Sequence, residues 1–133
     1  MSGHAWRLVA GALVLVGAGW LLPVLAQRTG LGAVFSTPAY FALSWGVASF
    51  LGALVARTGF LPVALVLWVA VWKLVLLTLY RIAEPVGQAS LLGLLQSNAL
   101  AIVLGLSATI AGALLGQRAA ARWQRRGGGP LAA

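Results

Sequence analysis

A single lysine interrupts a long apolar stretch of this chain. In VLWVAVWKLVLLTLY, residues 66–80, Lys73 is the one charged group among bulky aliphatic and aromatic side chains. An ammonium so placed can hold a carboxylate, attract a small anion or donate to polar groups on a neighbouring helix. Making or breaking bonds needs companions that the chain does not have. It contains one acid, Glu84, one histidine, His4, and no cysteine. Those counts exclude a carboxylate pair, a Ser–His arrangement, a thiolate nucleophile and a His/Cys/Asp/Glu metal cluster, and there is no P-loop. The chain is expected not to be an enzyme, and to carry no cofactor and no metal.

The position of Lys73 sets what it can reach. It precedes Arg81 by eight residues, about 12 Å along a helix, which is roughly twice the reach of a snorkelling lysine. Helical side chains also lean toward the helix N-terminus, here away from the nearer surface. We expect the ammonium to point into the bundle, toward Ser44, Ser107, exposed carbonyls or a partner's carboxylate, with Glu84 too far for contact. The competing reading is an imperfect snorkel with local thinning of the bilayer.

The elements that position these residues follow from composition. Of 133 residues, 62% are apolar and 8% charged, more apolar surface than a soluble domain of this size can cover. Four stretches are long enough to cross a hydrocarbon core of about 30 Å: residues 5–26, 38–56, 60–80 and 97–117. We expect an all-α, integral membrane four-helix transmembrane bundle forming one domain over residues 1–133. The net charge of +8 would suggest nucleic acid in a soluble protein. Here the charges flank apolar segments, and no nucleic-acid partner is expected. Arg7, Arg57, Arg118, Arg122, Arg125 and Arg126 fall on one side of a four-span topology, against Arg28 and Arg81 on the other. The positive-inside rule then puts both termini in the cytoplasm of a multi-pass inner (plasma) membrane protein. Residues 1–26 also resemble a signal peptide, with a basic residue, an apolar stretch, Pro23 and small residues near Ala26. We keep the segment as a permanent span.

Connections carry turn chemistry. Thr37 and Pro38 form an N-cap and first-turn proline, and Gly59 supplies a left-handed residue in a tight hairpin before Pro62. The segment at 86–95 is too apolar for a solvated loop and is expected to form a short interfacial helix before the fourth span, which would open at Gln96, Ser97 and Asn98. After residue 117 a basic tail, 118–133, continues the helix by a turn or two and then frays in glycine and proline.

Small residues form stripes. In the second span Ala42, Gly46, Ser49, Ala53 and Ala56 recur every three or four residues, and in the fourth Gly105, Ala108, Gly112 and Gly116 share a face. Such stripes let backbones approach closely, the main route to helix association in lipid. They serve either the bundle's own packing or a docking face for other membrane-protein subunits or a second copy. ASFLGAL at 48–54 and ATIAGAL at 108–114 hint at an internal repeat of 60 residues,. Trp6, Trp20 and Trp123 read as interfacial anchors, Trp68 and Trp72 as packing or lipid contacts. Most of the third span should meet lipid. Arg118, Arg122, Arg125 and Arg126 are expected to contact anionic phospholipids of the bilayer.

The functional expectation is a non-enzymatic accessory, stabilising or assembly subunit of a membrane complex, packing through its small-residue faces. The alternative is a homo-oligomeric channel or transporter for an anion or polar solute, using Lys73.

Overall fold

A computed structural model describes residues 2–31 and 37–127. Within them four helices are long and apolar enough to cross a membrane: α1 (Gly3–Arg28), α2 (Pro38–Ala56), α3 (Phe60–Ala83) and α4 (Leu91–Gly127). With no water in a hydrocarbon core, backbone N–H and C=O groups must pair within the segment, which is why these apolar runs are helical throughout. The ends obey local chemistry. Ser2 accepts a hydrogen bond from the Ala5 N–H at the start of α1, and the Thr29 hydroxyl donates to the Leu25 and Ala26 carbonyls at its end. Pro23 sits inside α1 without ending it.

The second hairpin is as tight as the sequence implies. Gly59 is left-handed at φ +70°, and Arg57, at φ +70° and ψ −56°, is a γ-turn of the rarer hand closed by the Thr58 N–H on the Ala56 carbonyl at 2.9 Å,. The third connection departs from expectation. Only Glu84–Val86 forms a 3₁₀ turn, and no separate interfacial helix occupies residues 86–95; from Leu91 the chain is already in α4, one helix of 37 residues. Ser90 starts it, its hydroxyl accepting from the Gly93 N–H. The polar cluster that suggested a new N-terminus bonds back into the same helix, the Ser97 hydroxyl and the Asn98 amide both donating to the Leu94 carbonyl. The glycine-rich end of the basic tail, 128–133, lies outside the described residues, as do 32–36 of the first loop.

The bundle is built around α2, which packs on α4 along one side and on α1 along the other; α3 rests on α4 and touches α1 only near one end. Contacts fix the directions. Gly46 lies at Ala108, Ser49 at Thr109 and Ala53 at Gly116, so α2 and α4 run parallel. Gly11 lies at Gly52 and Gly19 at Trp45, so α1 runs antiparallel to α2. Both described ends of the chain therefore lie at the same end of the bundle, with the Arg57 hairpin. The core centres on Leu15, Phe60, Ala64 and Ala113, all fully buried. Phe60 fits the notch that Gly11 and Gly52 leave, its ring 2.7 Å from where a Cβ on Gly52 would stand.

The two segments of the 60-residue repeat face one another. The buried Ser49 hydroxyl donates to the Thr109 carbonyl at 2.9 Å, 60 residues away, and Thr109 turns its own hydroxyl back to the Gly105 carbonyl. Around that bond the helices touch backbone to backbone. A Cβ on Gly112 would collide with the Gly46 carbonyl oxygen, and one on Gly116 would stand 2.5 Å from the Phe50 oxygen and 2.7 Å from Ala53 Cβ.

Candidate functional site

The interior of the bundle offers no polar path. Its buried polar side chains, Ser44, Ser49 and Thr109, each give their hydroxyl to a backbone carbonyl, Ser44 to Phe41 of its own helix at 2.8 Å. No charged side chain is buried among the described residues. In a low-dielectric interior such locally satisfied hydroxyls are inert.

Lys73 is on the outside. The inward face of α3 is taken by Phe60, Ala64, Trp68 and Trp72, four residues apart and all buried. Lys73 follows Trp72 by one residue, a rotation of about 100° at 3.6 residues per turn, and so faces outward as an exposed residue. This corrects the inward placement. Ser44 is buried on α2 with its hydroxyl on the Phe41 carbonyl, and Ser107 is exposed with its hydroxyl on the Val103 carbonyl; the three residues do not converge. On α4 it is Gly105 that meets α3 at this turn, the Trp68 and Trp72 indole nitrogens lying 3.3 and 4.0 Å from its Cβ position.

What Lys73 lines is a cleft between α3 and α4, about 750 Å³, walled by Trp68, Trp72, Leu76 and Tyr80 on α3 and by Leu91 and Leu95 on α4. The size is that of ligand sites in general. The α3 indoles shape its floor: Trp68 and Trp72 pack at 6.1 Å between centroids, and Trp72 meets Phe41 edge-on at 6.3 Å. The Trp68 Nε1–H is buried without a hydrogen-bond partner, pressed against Gly105. Around the cleft stand an ammonium, a phenol and two indoles, and no carboxylate. The one acid of the chain, Glu84, lies exposed in the 3₁₀ turn beyond α3.

The small-residue positions divide. Gly46, Ser49, Ala53, Ala108, Gly112 and Gly116 all lie in the α2–α4 seam, whereas Gly105 accommodates α3 instead. These residues pack against one another within the chain, with Gly46 and Ala108 left half-buried at the outer edge of the seam. Two contributors escape the sequence reading. Gly11 and Gly52 cross with a Cβ position on one 2.6 Å from the carbonyl oxygen of the other. The signal was there: Ala48, Gly52 and Ala56 form a second small stripe on α2, overlapping the first.

The basic residues lie on the last turns of α4. Gly127 is nine residues past Arg118, so the helix continues about 13 Å beyond that point. Arg118, Arg122 and Arg126 share one side, next to Phe50, Leu115 and Trp123, around a cleft of about 450 Å³. Arg125, seven residues after Arg118, falls close to the same face but does not line the cleft. Arg7 and Arg57 belong to the same end of the bundle. From Arg7 to Arg28, α1 rises 21 residues, about 32 Å, the thickness of a hydrocarbon core,. The chain is a small multi-pass integral membrane protein. Compared with protein-family models, with curated proteins and with solved structures, it finds no match.

Proposed function

We propose that this protein is a non-enzymatic accessory or assembly subunit of a membrane complex, which receives a partner's transmembrane helix in the α3–α4 cleft and pairs Lys73 with a carboxylate on that helix. The observation that carries this reading is an ammonium exposed on the outer wall of a bundle that has no polar interior. A charge facing hydrocarbon is expensive, and intramembrane charges pair with one another or face water. This chain has no acid within reach of Lys73, so the complement comes from elsewhere. An α-helical partner satisfies its own backbone and needs from the cleft only apolar contact and one polar anchor. With both described ends of the chain beside six of its eight arginines, that end lies in the cytoplasm by the positive-inside rule, in an inner or plasma membrane.

The test is a photoreactive amino acid at Leu95, in the cleft, compared with one at Leu13 on the outer face of α1, in native membranes. Leu95 should yield one crosslinked species whose added mass is not that of this chain. The species should vanish with Lys73→Leu and persist with Lys73→Arg. Crosslinking of Leu95 only to a second copy, with a native mass at a multiple of the chain, would replace this reading with the homo-oligomeric channel or transporter.

A further inference from the structure

Arg118, Arg122 and Arg126 recur every four residues, one side of α4, at the level where the helix leaves the bundle. No acidic side chain stands near their guanidiniums, since the one acid of the chain, Glu84, is at the opposite end. The cleft they rim has an apolar floor, made by Leu115 and by Phe50 of α2. A second groove of about 320 Å³ begins at those same two residues. It runs down the outside of the α2–α4 seam between Leu43, Val47 and Ala111, over Gly46 and Gly112. The groove exists because the seam is made of glycine and alanine: where the backbones touch, no side chain fills the furrow above them.

We propose that these two clefts form one binding site for a phospholipid whose headgroup carries two phosphates. One acyl chain lies in the glycine-floored furrow from Phe50 toward Leu43, and the phosphates are held by Arg118, Arg122 and Arg126. The charge and the depth argue together. Guanidinium groups bind phosphate oxygens bidentately, and basic pockets between transmembrane helices are where such headgroups dock. Arg118 and Arg126 are eight residues apart, about 12 Å, a row that one phosphate cannot span and two joined by a short bridge can. An acidic peptide or nucleic acid could meet the arginines but would leave the furrow empty, because it lies at the depth of lipid tails. The inference is independent of what occupies the Lys73 cleft.

The test uses the full-length protein in mild detergent and native mass spectrometry, with added cardiolipin, phosphatidylglycerol or phosphatidylcholine. Cardiolipin should be retained about tenfold more than phosphatidylglycerol, and phosphatidylcholine not at all. Arg118→Gln with Arg122→Gln should reduce cardiolipin retention about tenfold, while Arg7→Gln, at the same end of the bundle but on α1, changes it less than about twofold,. Ala111→Phe, which fills the furrow and leaves every arginine in place, should also release the lipid; far-ultraviolet circular dichroism of each variant verifies that it is folded. Equal losses from Arg7→Gln and Arg122→Gln would overturn the site in favour of a diffuse charge effect. Retention unchanged by Ala111→Phe, with inorganic pyrophosphate displacing the lipid, would overturn the acyl-chain furrow.

Discussion

A missing Cβ decides how α4 meets α2. At Gly112 an added methyl would run into the Gly46 carbonyl oxygen, while at Gly17, in the middle of α1, it would meet nothing within 4 Å. The same substitution should therefore have opposite effects. Gly112→Ala is expected to lower thermal stability in detergent by about 1–3 kcal/mol or more through overpacking. Gly17→Ala should raise it by about 0.5–1 kcal/mol, by restricting the unfolded chain. Equal shifts in the two unfolding midpoints would show that the seam is not the close contact described. The residues of the seam were readable from spacing alone, because Ala108, Gly112 and Gly116, recurring every four residues, form a face by accident of composition less easily than one glycine does. That Gly105 on the same stripe serves α3 instead was not readable. Gly11 was not readable: among 17 glycines a single one marks nothing until its partner, Gly52, is known. For Lys73 the cost of a charge in lipid argued for an inward direction, and the structure turns it outward,. The direction comes from Phe60, Ala64, Trp68 and Trp72, whose four-residue spacing claims the inner face of α3 and leaves Lys73 about 100° away,.

At the level of elements, the 37 residues of α4 make a definite claim about the segment before the membrane. If a new helix opened near Gln96, proline at 97 would occupy a favoured first-turn position. In a continuous helix it removes the bond to residue 93 and clashes with the preceding turn, a loss of about 3 kcal/mol. Ser97→Pro should accordingly destabilise the protein in a thermal melt followed by circular dichroism, and an unchanged melt would restore the two-helix reading. Sequence reasoning failed here because Ser and Asn are helix starters in water, whereas in α4 their side chains close on the Leu94 carbonyl instead. The Arg57 turn offers a second test. A non-glycine residue at φ +70° and ψ −56° holds about 1–3 kcal/mol of strain. Arg57→Gly should relieve most of it, and Arg57→Ala, which removes the same charge and keeps the Cβ, should not. Measuring both midpoints separates backbone strain from electrostatics; a gain shared by both variants would assign the effect to charge.

For the whole molecule, the absence of cysteine makes orientation directly measurable with single introduced thiols. Thr58 lies at the end of the bundle that holds both described chain ends, and Gln88 lies at the other, both exposed. Gln88→Cys should react with a membrane-impermeant maleimide on intact cells, and Thr58→Cys only after permeabilisation. The reverse pattern would invert the topology drawn from the arginines. The seam between α2 and α4 also bears on how such a bundle comes into being. Its two halves are the second and the fourth of the described helices, separated by all of α3. During synthesis α1, α2 and α3 enter the membrane first, and α2 then presents Gly46, Ser49 and Ala53 to lipid with nothing to close upon them. Only when α4 emerges does Ser49 find the Thr109 carbonyl. Assembly of the native bundle is thus withheld until α4 has left the ribosome, and a nascent chain interrupted after α3 carries an unclosed glycine face that marks it as unfinished.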